Sequence, residues 1–142
     1  MVNFFSKEDE RRIIEAIREA EGRTSGEIRV HLEPKVNGDP LEAAAAVFHR
    51  LKMDRTAERN GVLIFLVPKE HKFAIFGDKG IHEKVPPGFW EEVRDIMREH
   101  FRQGRFADGV CEGIRRAGEK LATYFPRKDD DINELTDEIS YG

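Results

Sequence analysis

The run Gly61-Val62-Leu63-Ile64-Phe65-Leu66-Val67, followed by Pro68-Lys69-Glu70-His71 and then Lys72-Phe73-Ala74-Ile75-Phe76, decides the fold. Apolar side chains without a polar interruption read as a strand buried on both faces, and such a strand is central to its sheet. A four-residue connection is too short for a parallel crossover, so the two strands pair antiparallel. Gly77-Asp78-Lys79-Gly80 closes the hairpin as a turn. Upstream, Glu27-Ile28-Arg29-Val30-His31-Leu32 alternates polar and apolar, the pattern of a strand with one well-buried face. A helix separates this strand from the central one, so the two run parallel with a right-handed crossover.

Four helices surround these strands. Ser6 is a candidate N-cap, with Ile13, Ile14, Ala16, Ile17 and Ala20 at helical spacing up to about Glu21 and Gly22 as the stop. Asp39 and Pro40 open a second helix through about Lys52. A third is marked by Phe89, Trp90, Val93, Ile96, Met97, His100 and Phe101, from near Pro87 to Gly104. Phe106 to Phe125 forms a fourth, stopped by Pro126; its Gly109-x-x-x-Gly113 spacing suits close packing on the sheet. The expected architecture is a three-layer α/β/α sandwich whose small mixed central sheet has about four strands. Residues 1–126 make the domain, and residues 127–142 form an acidic tail that docks on it through Ile132, Leu135, Ile139 and Tyr141.

The length of 142 residues suits one core. Charged residues make up 37% of the chain, above the roughly 25% usual for soluble proteins. Their net of −4 lies wholly in the tail, where six acids face two bases, leaving the body neutral. A neutral body has no general attraction for nucleic acid or an anionic membrane. No apolar run approaches the ~18 residues that span a bilayer, and MVNFFSKEDERR has no apolar leader segment. With the single Cys111, this is the expectation for a cytoplasmic monomer.

Familiar catalytic signatures are absent: no GxGxxG, no GxxxxGK[ST], no HExxH, no paired-cysteine zinc spacing and no GxSxG. Asp129-x-Asp131-x-Asn133 matches the first three ligand positions of a calcium loop. Glu134 then replaces the turn glycine, and Ser140 stands where the bidentate glutamate belongs.

Topology supplies a better candidate. The third strand leaves the sheet beside the entries of the first two. One sheet edge therefore collects Thr24, Ser25 and Glu27, then Asp54, Thr56, Arg59 and Asn60, and finally Gly77 to Gly80. Glu27, Asp54, Asn60 and Asp78 are the metal-ligand candidates, because hard cations such as calcium prefer an oxygen-only donor set. Ordinary turn and capping chemistry, with Glu27 paired to Arg59 or Lys79, accounts for the same residues. The rule that open α/β sheets bind ligands at the C-terminal strand ends points to the opposite edge. There stand Glu33, Asn37, Asp39 and the Pro68–His71 turn. The histidines, His31 among them, read as surface or satisfied half-buried residues.

At Thr24-Ser25-Gly26-Glu27-Ile28-Arg29-Val30 and Asn60-Gly61-Val62-Leu63-Ile64 the chain resembles the TPM domain family. Thr56, Gly77-Asp78-Lys79-Gly80-Ile81, Trp90, Phe101-x-x-Gly104 and Tyr124-Phe125-Pro126 extend the resemblance. Asn133-Glu134-Leu135-x-Asp137-Glu138-Ile139 resembles the stand-alone bacterial branch. The resemblance implies an α/β/α sandwich and two activities: calcium or other divalent-cation binding in bacterial members, and acid phosphatase in plant members. It brings no universal catalytic motif, so it assigns no catalytic residue. The expectation is a divalent-cation binding or protein-interaction module. The alternative is a metal-assisted phosphomonoesterase, in which clustered carboxylates activate water through a metal.

Overall fold

The computed structural model describes residues 4–127 and 139–142. The tail residues 128–138, including Asp129, Asp131 and Asn133, lie outside it. The central apolar run forms β2 (Gly61–Val67), buried at every position. It lies between β1 (Glu27–Leu32), parallel to it, and β3 (Lys72–Gly77), antiparallel to it. A short β4 (Ser140–Tyr141) adds parallel to the free side of β1, giving the order β3-β2-β1-β4. The hairpin connection Pro68–Glu70 is a single 3-10 turn, which His71 leaves in the left-handed region at φ 56°.

Alternation along β2 divides the core in two. Val62, Ile64 and Leu66 join Ile28, Val30, Leu32 and Ile75 on one face. That face is covered by α1 (Lys7–Glu21), α4 (Phe89–Arg102) and α5 (Phe106–Tyr124), through Ile13, Ile17, Val93, Met97, Val110 and Ile114. Leu63, Phe65, Val67 and Ala74 face α2 (Pro40–Arg50), which buries Ala44, Val47 and Phe48 against them. A one-turn α3 (Lys79–His82) completes an α/β/α sandwich with a four-stranded mixed sheet.

The helix starts follow local chemistry. The Ser6 hydroxyl accepts from Asp9 N at 3.0 Å, and acids at Glu8, Asp9 and Glu10 face the positive end of α1. Asp39 accepts from Leu41 N at 3.2 Å, and Pro40 fills the first turn of α2. Gly109 and Gly113 depart from the expected packing on the sheet and lie against α4. A Cβ at Gly113 would stand 2.5 Å from Met97 Sδ, and one at Gly109 would stand 2.6 Å from the Phe101 ring. The two helices approach closely because these positions carry no side chain.

The polar face of β1 differs most from expectation. Five of the six residues of β1 are buried, Glu27 and His31 of its polar face among them; β4 pairs along the free edge of the strand and the Phe65 ring of β2 lies against His31. His31 is 1% exposed and stacks on Phe65. Its Nδ1 lies 2.7 Å from Ser140 Oγ and its Nε2 lies 2.9 Å from Glu33 Oε1. A neutral ring satisfies both contacts, with Nε2–H donating to Glu33 and Nδ1 accepting from the Ser140 hydroxyl, which also lies within 3.4 Å of Val30 O as its longer alternative acceptor. Burial holds the imidazole below its ordinary pKa; the Glu33 carboxylate opposes that shift, and Arg50 and Arg29 reinforce it.

On acidification the unfolded chain therefore takes up the His31 proton before the folded chain does. Stability is lost as pH falls through the unfolded value of about 6.5, at no more than about 1.4 kcal/mol per pH unit. Melting temperature measured between about pH 8 and about pH 5.5 should fall more steeply for the native protein than for His31→Gln, which has no such titration. Parallel curves for the two proteins would show that His31 does not supply the slope.

Candidate functional site

At the entry edges of β1 and β2, the exit of β3 is fastened by two contacts. Asp78 N donates to Gly61 O at 3.0 Å, and the Arg59 guanidinium forks onto the Asp78 carboxylate at 2.7 and 2.9 Å. The same carboxylate accepts from Lys79 N at 2.8 Å and so caps α3. Asp78 is 4% exposed, and a buried carboxylate requires such partners. The hydrogen bonds to Asp78 push the Arg59 pKa up, against its desolvation, and the Asp78 charge adds to the effect. Arg59 itself has φ 53°, a left-handed conformation that sets its side chain at the close of the Thr56–Asn60 turn. α3 then runs directly over this turn. Gly80 N donates to Arg59 O at 3.0 Å, and a Cβ at Gly80 would stand 2.6 Å from Arg59 O and closer still to Glu58 O.

A second group sits beside this fork. Ser25 Oγ donates to Glu58 Oε2 at 2.7 Å, and Asn60 Nδ2 reaches Ser25 Oγ at 3.3 Å and Glu58 Oε2 at 3.5 Å. The Asn60 backbone holds the edge together: its N donates to Thr56 Oγ1 at 3.3 Å, and its O accepts from Glu27 N at 3.4 Å. Ser25 is fixed from the far side by its own N–H to Phe125 O at 2.9 Å, while the Thr24 hydroxyl donates to that same carbonyl. Segments separated by 33 or more residues thus bring a carboxylate, a hydroxyl and a side-chain amide N–H to one place.

Of the predicted ligands, Asn60 and Asp78 stand at this edge as expected, and Glu27 is buried on the adjoining strand at 3% exposure. Asp54 lies on the Met53–Arg55 turn, where it pairs with His49 of α2 at 3.2 Å. The His49 hydrogen bond holds its carboxyl below the usual range, and the Arg59 charge adds to the effect. The contest over Arg59 goes to Asp78. Among the described residues, no three His, Cys, Asp or Glu side chains gather as a metal site. The residue that sequence reasoning passed over is Glu58. It precedes Arg59 and Asn60 in the same turn, so the argument that placed those two at the edge applies to it as well.

At the opposite sheet edge, Glu33 is engaged with His31 and, at 3.6 Å, with Arg50. Glu70 accepts from Val36 N at 3.3 Å. These are bracing contacts between loops. No described helix is long and apolar enough to cross a membrane.

The TPM domain matches residues 1–120. The chain belongs to the TPM domain family. It is similar to the BA42 protein of the psychrophilic bacterium Bizionia argentinensis, solved by NMR, with 48% identity and a TM-score of 0.92. That match covers 100% of this chain and 98% of that one. The N-terminal domain of a P. gingivalis protein shares the fold at 23% identity and TM-score 0.66, over 85% of this chain and 78% of its own. The N-terminal domain of the cg2496 protein of Corynebacterium glutamicum does so at 16% identity and TM-score 0.66, over 82% and 74%. No curated protein matches the chain. Within this TPM domain, Gly77 is pressed by the Trp90 ring, 2.7 Å from where a Cβ would stand, so these two widely spaced residues constrain one another.

Gly80→Ala tests the seating of α3 on the turn. The added methyl would meet two backbone carbonyls that cannot swing aside, so it should cost about 1–3 kcal/mol in urea denaturation. Amide NMR shifts should concentrate at Glu58 to Asn60. An unchanged midpoint would show that the turn yields.

Proposed function

We propose that this TPM domain binds a divalent cation of the calcium class at the edge formed by Ser25, Glu58, Asn60 and Asp78. The observation that supports this reading is the convergence of Glu58, Ser25 and Asn60 within 2.7 to 3.5 Å of one another. Calcium takes six to eight oxygen ligands at about 2.3–2.6 Å, from flexible mixtures of carboxylate, carbonyl and hydroxyl or water oxygens. Glu58 offers a carboxylate, Asn60 its side-chain oxygen once the amide turns, and Ser25 a hydroxyl. Asp78 joins when Arg59 releases it. In the metal-free protein the Arg59 guanidinium supplies the positive charge beside Asp78, so metal and arginine compete for one carboxylate. The bound edge then serves as a cation-dependent surface for a protein partner. The half-buried Cys111 thiol, raised by burial, suits a reducing cytoplasmic setting.

Calcium titration followed by backbone amide NMR checks this reading. Resonances of Ser25, Glu58, Asn60 and Asp78 should move by about 1 mM calcium. Glu58→Gln should weaken the response, and Arg59→Gln should strengthen it by freeing Asp78. No shift in that range would end the proposal, and shifts confined to Asp129–Glu134 would move the site to the tail. Calcium-dependent turnover of a generic phosphate ester, lost in Glu58→Gln, would select the phosphomonoesterase alternative.

A further inference from the structure

A concavity lies at the other end of the sheet from the polar edge, where β2 passes through the Pro68–Glu70 turn into β3, and it has a different chemistry. Its volume is about 220 Å³. The floor is apolar and largely aromatic: Phe5, Leu66, Phe73, Phe101, Phe106 and Val110. The rings are mutually braced, with Phe73 edge-on to Phe101 at 5.0 Å, Phe101 stacked with Phe106 at 5.7 Å, and Phe4 edge-on to Phe106 at 5.1 Å. Phe4 and Phe106 remain exposed at 37% and 38%, although neighbouring rings offer them burial. A soluble domain leaves such rings at a concave surface where something else covers them.

The rim carries His71, Lys72, Arg98 and Arg102, and no described acidic side chain lines the pocket. Arg98 also lies over the Phe73 ring at 5.8 Å. The acids nearest these cations are held in solvent-facing pairs. Asp95 meets Arg98 at 3.2 Å, Glu70 meets Lys72 at 3.6 Å and Glu99 meets Arg102 at 3.8 Å. Exposed pairs of this kind are worth little and yield to an anion presented from an apolar anchor. An aromatic floor under a cationic rim is complementary to a ligand with one apolar ring and one negative group. Size sets the ring count: a cavity of about 150 Å³ holds benzene, so this volume holds one ring and a short acidic arm. Edge-to-face partners at Phe73 and Phe106 favour a flat ring over a flexible alkyl chain.

We propose that this pocket binds a small aromatic carboxylate, with the ring laid against the surface that Phe73, Phe101 and Phe106 form and the carboxylate at Arg98 and Arg102. The site lies beyond the C-terminal end of a parallel strand, where open α/β sheets hold ligands. It shares no residue with the cation edge, so the two proposals stand or fall separately.

Backbone amide NMR of the full chain, titrated with phenylpropanoate, is the test. Shifts should centre on Phe73, Phe101 and Val110, with half-saturation at or below about 1 mM. The neutral isostere phenylpropanamide should bind at least about tenfold more weakly, because it lacks the charge. Arg98→Gln combined with Arg102→Gln, both solvent-facing, should remove that preference while leaving the spectrum folded. No shift by about 10 mM, shifts located elsewhere, or equal binding of acid and amide would overturn the proposal. Tighter binding of octanoate than of phenylpropanoate would overturn the aromatic assignment.

Discussion

Burial of β2 on both faces is the constraint from which the rest of the molecule follows. All seven of its residues are removed from water, so every backbone amide and carbonyl along it needs a partner within the protein. β1 and β3 provide those partners on either side, and two helical layers provide the apolar cover. The parallel neighbour requires a crossover, which becomes α2 and fills the second face. The antiparallel neighbour requires only the Pro68–His71 turn. These two connections place different loops at opposite ends of the same strand.

The two ends consequently differ in chemistry. At the entry of β2, three turns rich in small polar residues meet, and their side chains satisfy one another through the Arg59–Asp78 fork and the Ser25–Glu58–Asn60 group. At its exit, the short hairpin turn leaves room for aromatic residues from the segment before α1, from α4 and from α5 to converge under a cationic rim. The first end is hydrogen-bonded and charge-balanced. The second is apolar, under a rim of cations whose acidic partners stand outside the pocket lining. A single strand thus separates a hydrogen-bonded polar edge from an aromatic pocket.

Much of this was legible in the chain itself. The continuous apolar run of β2, the four-residue turn and the helical stripes placed three strands, four helices and both layers, because periodicity and connection length are local properties. The same topology brings Asn60, Arg59 and Asp78 to one edge. Pairing was not legible. Arg59 could have met Glu27 or Asp78, and the choice rests on its left-handed backbone and on the hydrogen bond from Asp78 N to Gly61 O. Asp54 turned to His49 because the Met53–Arg55 turn follows directly on α2.

Sequence by itself determined the layers, the strand directions and the edge where polar turns gather, since each follows from local apolar patterns and the lengths of the connections between them. Tertiary structure alone decided that Ser140 and Tyr141 extend the sheet. A two-residue strand has no periodicity to read, and its position comes from the register His31↔Ser140 and the contact between their side chains. It decided that Glu27 and His31 on the polar face of β1 are buried, because β4 and the Phe65 ring that lie against His31 come from elsewhere in the chain. It also decided the aromatic pocket. Phe73, Phe101 and Phe106 belong to three separate elements of the sequence, and only packing shows that their rings meet, with Phe4 beside them, and which of the rings remain uncovered.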